Sequence, residues 1–200
     1  MGSVWPIRIQ SMANTSTMDT HGSVAQAKRI VDAGGEIVRF TTQGQREALN
    51  MKSINAGLRS DGYNVPLVAD VHFSSQTALA VAPIVEKVRI NPGNFHKDHS
   101  EAVRQFRVLI KVCRDNGTAI RVGINHGSLG EYITNLYGNT PSAMAKAAIP
   151  EMEITTAATA DMVKEAAEES VGLAESVVDL NMKTAADEGA GETEETVQLR

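Results

Sequence analysis

The sequence predicts an α/β protein in which parallel strands alternate with helices. Short apolar runs of strand-like composition start near residues 7, 36, 66, 87 and 119, so successive runs begin 21 to 32 residues apart, the length of one strand-and-helix unit. Between these runs, apolar residues recur at helical spacing. Connections of this length join neighbouring parallel strands through right-handed crossovers.

Six apolar segments are predicted as strands because they are rich in strand-forming residues and are bounded by turn-forming residues. They are Ile7–Met12, Glu36–Gly44, Val65–Phe73, Glu86–Asn94, Ala119–Ser128 and Val177–Ala185. Four helices are predicted between the first five strands, at residues 24–31, 48–58, 75–85 and 100–114. Pro83 should end or bend the third of them. Weaker helical patterns follow at residues 129–137, 142–148 and 160–176.

Composition and charge exclude several classes of protein. The 200 residues are 42% hydrophobic and 4% aromatic, which is ordinary for a soluble α/β protein. No apolar run approaches the roughly 18 residues of a membrane span, and no charged and apolar leader precedes the first strand, so a cytoplasmic protein without a membrane segment is expected. Scarce aromatic residues and an acidic C-terminal part argue against nucleic-acid binding.

The net charge of −5 conceals two unlike parts. Residues 1–149 hold 16 Lys and Arg against 11 Asp and Glu, a net +5, whereas residues 150–200 hold 3 against 13, a net −10. An acidic stretch of this kind is usually a solvated face or a disordered end. The sequence therefore suggests βα units over 1–149, an acidic helix and a sixth strand over 150–183, and a disordered tail over 184–200.

Cys113 is the single cysteine. This chain alone can therefore form no intrachain disulfide, thiolate zinc site or cysteine-ligated iron–sulfur cluster. Cys113 lies in a helical pattern, where a buried structural thiol is expected rather than a catalytic one. His96 and His99 have no third ligand nearby, so no metal site is predicted.

Cations recur where the predicted strands end. The four are Arg39, Arg89, Arg121 and Lys183, and the polar residues beside them include Asp70, His72, Asn91 and Asn125. Charges are rarely buried without a partner, and the carboxyl ends of parallel strands meet at one edge of a sheet. The pattern predicts a site for an anionic ligand. Taken singly, each arginine could be a surface residue, Asp70 could pair with a neighbouring arginine, and Lys183 could be an exposed residue at the start of the tail.

Five segments in one register, and a sixth near the end, resemble a known family. They are QSMANT (10–15), RFTTQG (39–44), VPLVADVHF (65–73), KVRINPGN (87–94), IRVGINHGSL (120–129) and NMKTA (181–185). They resemble the N-terminal barrel of the 4-hydroxy-3-methylbut-2-enyl diphosphate synthase family in its long, three-domain form. The resemblance implies an incomplete TIM-type (β/α) barrel with about six parallel strands, an acidic helical C-terminal segment and a disordered tail. Equivalents of the seventh and eighth barrel strands are not found.

The same resemblance implies a substrate and a set of contacts. The family reductively converts 2-C-methyl-erythritol 2,4-cyclodiphosphate to 4-hydroxy-3-methylbut-2-enyl diphosphate. By position, Arg39, Arg89, Arg121 and Lys183 would contact the diphosphate. The remaining polar contacts in the pocket would be Asp70, His72, Asn91 and Asn125. No catalytic residue and no metal ligand is assigned to this chain.

In the complete family enzyme, a separate domain would hold a four-iron four-sulfur cluster with three cysteines and a glutamate. Flavodoxin or ferredoxin would supply the electrons. This chain lacks those cysteines, so it is expected to bind substrate and to be inactive alone. Alternatives are a non-catalytic phosphate-binding module or remnant, and a dihydropteroate-synthase-like barrel that would bind a pterin. The open edges of such a sheet favour a homodimer or a partner chain that supplies the missing strands.

Overall fold

The computed structural model describes residues 6–72 and 74–147, all within one compact unit, Met1–Thr155. Its centre is a five-stranded sheet in which every pair of neighbours is parallel. The strands are β1 (Gln10–Met12), β2 (Ile37–Thr42), β3 (Leu67–Val71), β4 (Lys87–Ile90) and β5 (Ala119–Val122). Their spatial order is β1-β2-β3-β4-β5, the same as their order along the chain. A (β/α) barrel has this sequential order, whereas a doubly wound sheet reverses direction part-way.

Helices follow the strands, and three of them begin at a capping side chain. They are α1 (Thr20–Asp32), α2 (Gln45–Ser60), α3 (Ser75–Val81), α4 (His99–Asp115) and α5 (Glu131–Tyr137), followed by a helical segment at 141–147. The side chains of Asp19, Ser74 and Asp98 each accept a hydrogen bond from a backbone N–H in the first turn of the next helix. Such caps satisfy donors that a helix start leaves unpaired.

The two faces of the sheet differ in chemistry. In β2, Val38, Phe40 and Thr42 are buried, whereas the alternate residues Arg39 and Thr41 are partly exposed. Successive strand residues point to opposite faces, so the apolar set packs in the core and Arg39 lies on the other face. The core is completed by fully buried residues of β3, β4 and the helices, among them Leu67, Ala69, Val88, Ile90, Met51, Ile54, Leu58 and Leu109.

The predicted α/β class with parallel strands is confirmed, but the strands end earlier than predicted. β4 ends at Ile90 and β5 at Val122, because short 3-10 helices at Pro92–Asn94 and His126–Ser128 follow them. α3 ends at Val81 rather than near residue 85, consistent with the missing N–H of Pro83. Polar residues predicted at strand ends therefore lie partly in loops. The predicted acidic helix, the predicted sixth strand, Lys183 and the predicted disordered tail all fall outside the described residues.

Of the strands that the structure describes, β1 and β5 each pair on one side only. In β5, Ala119 and Arg121 are exposed. No helix among residues 6–72 and 74–147 is both long enough and apolar enough to cross a membrane.

Candidate functional site

Strand register aligns three charged residues across the sheet. Asp70 on β3 is paired with Arg89 on β4, and Arg89 is paired with Arg121 on β5. Residues paired in register point to the same face of a parallel sheet. These three residues therefore lie side by side on the face opposite the apolar core, close to the carboxyl ends of their strands.

Asp70 is the hub of an ion-pair network. Its side chain is 1% exposed, its Oδ1 accepts a hydrogen bond from Arg89 Nη1 at 3.0 Å, and its Oδ2 accepts one from Arg39 Nη2. His72 Nε2 lies 3.8 Å from Oδ2. One carboxylate thus compensates two guanidinium groups, which leaves a net positive charge at these strand ends.

Arg89 is held on both sides. It is 4% exposed, and its Nη2 donates a hydrogen bond of 2.8 Å to the carbonyl oxygen of Gly123, the residue that follows β5. A Cβ atom on Gly123 would lie 2.9 Å from Arg89 Cζ and closer still to Nε. The guanidinium therefore passes over a position that has no side chain.

Arg39 keeps an unused donor. Its side chain is 19% exposed, and its Nη2 bonds to Asp70. Its Nε is buried and has no hydrogen-bond partner among the described residues. A buried donor without an acceptor destabilises the folded protein. An oxyanion that accepted a hydrogen bond from this N–H would remove that penalty, which favours anion binding here.

Asn91 joins the loops that follow β4 and β5. Its side chain is buried, its Nδ2 donates to Ser128 Oγ at 2.6 Å, and its Oδ1 accepts from Gly93 N at 3.2 Å. The loops approach so closely that a Cβ on Gly93 would lie 2.7 Å from Gly130 N. We call this contact the loop clasp, made by Asn91, Gly93, Ser128 and Gly130. Both the amide nitrogen and the amide oxygen of Asn91 are thus already hydrogen-bonded within the protein.

The other predicted residues lie more openly. Arg121 is exposed and has no ion-pair partner among the described residues, although register places it beside Arg89. Asn125 is exposed, and its carbonyl oxygen accepts from Ser128 N at 3.1 Å. The structure thus brings together Arg39, Asp70, His72 and Arg89, and it places Arg121 on the adjoining strand. Lys183 lies outside the described residues.

The loop after β1 is fixed by residues that the sequence did not single out. Gln26 of α1 accepts from the N–H groups of Asn14 and Thr15 at 3.1 and 3.0 Å. Asn50 of α2 donates to the carbonyl oxygen of Thr17 at 2.7 Å. These helix side chains lock the loop beside the carboxyl end of β2. A polar residue on a helix gives no sequence signal for such a distant contact.

The residues described here do not fit an iron–sulfur cluster. Cys113 is buried in α4, and burial raises the pKa of its thiol to about 11, so the thiolate that ligates iron is disfavoured. The predicted burial of the Cys113 thiol is confirmed. Among residues 6–72 and 74–147 there is also no group of three or more His, Cys, Asp or Glu arranged to hold a metal ion.

Comparison with known proteins gives one consistent result. The family model described as the GcpE TIM-barrel domain matches residues 1–179. Proteins named 4-hydroxy-3-methylbut-2-en-1-yl diphosphate synthase (flavodoxin) are similar over the same region. The one from Phocaeicola vulgatus is 49% identical over 169 residues, covering 76% of this chain and 28% of the relative. The one from Chlorobaculum tepidum is 41% identical over 165 residues, covering 74% of this chain and 22% of the relative.

The chain therefore spans about a quarter of the length of these relatives. The resemblance predicted from the six motifs is confirmed, and the family found is not that of dihydropteroate synthase. The family match over residues 1–179 agrees with the sequential order of parallel strands seen in the sheet. On these grounds the chain belongs to the family of the GcpE TIM-barrel domain.

Proposed function

We propose that this chain is the substrate-binding barrel part of a 4-hydroxy-3-methylbut-2-enyl diphosphate synthase. The ligand is the diphosphate of 2-C-methyl-erythritol 2,4-cyclodiphosphate, bound at the carboxyl ends of β2 to β5. The observation that carries the proposal is the convergence of Arg39 and Arg89 on Asp70, with Arg121 beside Arg89 in register. The names of the relatives support the choice of ligand.

The charge of the site suits a dianion. Two guanidinium groups contact one carboxylate and Arg121 lies on the adjoining strand, so the site has an excess of positive charge. A cyclodiphosphate carries two negative charges, and planar guanidinium groups hold phosphoryl oxygens through charge-assisted hydrogen bonds. Arg39 Nε, which has no partner among the described residues, supplies one donor. Arg121, which is exposed, supplies others.

The remaining residues have distinct roles in this proposal. Asp70 orients the two arginines, since both of its oxygens are already occupied by them. His72 and Asn125 are polar contacts around the ligand, and Asn91 shapes the pocket through the loop clasp. Lys183 is a fourth cationic contact.

The chain contributes binding and orientation rather than electrons. In the complete enzyme, a four-iron four-sulfur cluster would supply the reduction and would receive electrons from flavodoxin or ferredoxin. The residues described here do not fit such a cluster, since Cys113 is single and buried. The word flavodoxin in the names of the relatives supports that donor for the complete enzyme. A homodimer or partner chain would cover the edges that β1 and β5 leave unpaired among the described strands.

A second candidate is a phosphate-binding module without turnover. The observation that favours it is the same buried Cys113, since the anion site keeps its arginines while the chain has no thiolate cluster to reduce a substrate. Both candidates require diphosphate binding. They differ in whether the chain acts within a complete synthase. To distinguish them, the remaining domains of a relative would be added to the purified chain and product formation would be measured.

Calorimetry tests the binding site itself. The folded chain should bind the cyclodiphosphate, and inorganic pyrophosphate as a simpler probe, more tightly at low than at high ionic strength, because salt screens charge pairing. Arg121→Met should weaken binding about tenfold to a hundredfold, the loss of roughly 1.5–3 kcal/mol. Arg107→Met, on the exposed side of α4, is the matched control and should bind like the parent. Absence of saturable heat at low ionic strength from folded protein would refute the site.

A further inference from the structure

We propose that Gly123 is a positioning residue for Arg89. Because position 123 has no side chain, the Arg89 guanidinium can pass over the end of β5 and bond to the Gly123 carbonyl oxygen and to Asp70 at the same time. The inference deepens the proposed anion site, and its binding consequence rests on that proposed function. The placement of Arg89 itself can be tested without any ligand.

Two acceptors on opposite sides define the plane of this guanidinium. Nη1 donates to Asp70 Oδ1 at 3.0 Å on the β3 side, and Nη2 donates to the Gly123 carbonyl oxygen at 2.8 Å on the β5 side. A planar group held by two of its nitrogens cannot rotate without losing one of these bonds. Its remaining N–H groups therefore keep a constant orientation in an environment that is almost closed to solvent.

A methyl group at position 123 would collide with Arg89. An ideal Cβ would lie 2.9 Å from both Cζ and Nη2 of Arg89, and closer to Nε. The backbone at this point is not free to retreat, since Gly123 N donates to the Ile90 carbonyl oxygen at 2.8 Å. The atoms that would move are at the end of a long side chain. Gly123→Ala should thus displace the guanidinium while the sheet remains intact.

Displacement of Arg89 has a defined chemical result. The guanidinium would lose its bond to the Gly123 carbonyl and its alignment with Asp70, whose other oxygen would still be paired with Arg39. Arg89 would become accessible to solvent and reagents, and an anion would lose a contact whose direction had been set before binding. Loss of such pre-organisation weakens binding without removing the charge.

The first measurement is the reactivity of Arg89 toward butane-2,3-dione, followed by peptide mass mapping on the full chain. In the parent, Arg89 should react far more slowly than the exposed Arg107. In Gly123→Ala it should react at least about tenfold faster, since the group leaves its enclosed position. Gly127→Ala is the matched control, because a Cβ there meets no atom within 4 Å, and Arg89 should stay protected. Equal Arg89 reactivity in the parent and Gly123→Ala would overturn the inference.

The second measurement is the affinity for inorganic pyrophosphate in a double-mutant cycle. Gly123→Ala should weaken binding about tenfold, but it should add little to the loss caused by Arg89→Met, because the glycine acts through that arginine. A general structural role would lower affinity in both backgrounds, and additive losses would overturn the inference. If the parent binds no pyrophosphate, the proposed function fails, while the reactivity of Arg89 still decides the role of Gly123.

A folding failure would also be informative. If Gly123→Ala does not fold, the collision with Arg89 predicts that Gly123→Ala combined with Arg89→Met folds again, because the shorter unbranched side chain leaves room for the methyl group. Recovery of the cooperative unfolding transition in that double variant would support the inference. A double variant that fails to fold while Arg89→Met alone folds would show that position 123 requires glycine for reasons unrelated to Arg89, and would overturn it.

Discussion

Asp70 on β3 and Arg89 on β4 are paired in register, and Asp70 Oδ1 accepts a hydrogen bond from Arg89 Nη1 at 3.0 Å. Their side chains are 1% and 5% exposed. A buried ion pair adds little net stability compared with apolar residues, but removal of one partner leaves an uncompensated buried charge. Removal of either charge should therefore lower the stability of the sheet as well as change the candidate site.

Asp70→Ala should strongly destabilise the protein. Arg89 would remain buried beside Arg39 without a counter-charge, and the free energy of unfolding should fall by about 3–5 kcal/mol. Urea unfolding at pH 7 measures this. Asp115→Ala removes an exposed ion pair with Arg114 and should change stability by less than about 1 kcal/mol. Similar losses in the two variants would show that Asp70 is not the centre of a buried network.

Ser128→Ala should open the loop clasp. Asn91 Nδ2 would lose its acceptor at 2.6 Å while its side chain stays buried, which should cost about 1–3 kcal/mol of unfolding free energy. Ser53→Ala, on the exposed side of α2, is the control and should have almost no effect. Denaturant titration compares them. An unchanged transition in Ser128→Ala would mean that another acceptor replaces the serine.

The Cys113 thiol should be inert in the native protein. Burial raises the pKa of the Cys113 thiol from the ordinary value of 9.0 to about 11. Well below pH 9 the thiol is protonated in both the folded and the unfolded protein, so its titration does not reduce stability there. As the pH rises from 9 toward 11, the unfolded state loses its proton first, and stability falls. A chromogenic disulfide reagent at pH 8 should react quickly after denaturation and very slowly before it. Fast native reaction would contradict the burial of Cys113.

Glu101 should titrate at unusually low pH. Hydrogen bonds from Arg104 and Gln105 lower its pKa from 4.5 to about 2. A lowered native pKa gives stability that is present above the unfolded value and is lost as the pH falls through about 2. Carboxyl-carbon NMR measures the titration directly. In Arg104→Gln the pKa should return toward 4.5, and no change would show that the salt bridge does not persist in solution.

This chain alone should not convert the cyclodiphosphate to product. Reductive ring opening requires two electrons, and a four-iron cluster requires several thiolates, whereas the chain has the single, buried Cys113. Anaerobic reconstitution with iron and sulfide, followed by dithionite and mass spectrometry of the products, tests this. Turnover by the chain would contradict the expectation, and turnover that persisted in Cys113→Ser would show that no cysteine-held cluster is needed.

Sequence patterns predicted the parallel sheet and part of the site for a clear physical reason. Arg89 lies one residue before the end of β4, as the strand pattern predicts, and parallel strands bring their ends to one edge. The prediction was wrong for Arg39, which is the third of the six residues of β2 and reaches Asp70 from the same face of the sheet. The same reasoning anticipated that Asp70 could pair with an arginine. The strand ends were predicted too late, because apolar residues such as Ile124 continue the pattern after hydrogen bonding has stopped.

Long-range contacts could not be predicted in this way. The bond from Asn91 to Ser128 spans 37 positions, and that from Arg89 to Gly123 spans 34. Each depends on how two loops meet in space, which no local pattern encodes. The requirement for glycine at position 123 comes from the path of another residue's side chain, so it became visible only with the packed structure.

The order of the strands in the sheet is also the order in which the residues of the candidate site are synthesised. Successive strands start 20 to 32 residues apart, and each pairs with the strand made just before it. A ribosome adding about 5–20 residues per second therefore presents one new strand every few seconds. Arg39 emerges before Asp70, Asp70 before Arg89, and Gly123 last. Because a domain generally folds as a unit, the contacts of Arg89 with Asp70 and with the Gly123 carbonyl oxygen can all be made only after β5 has been synthesised.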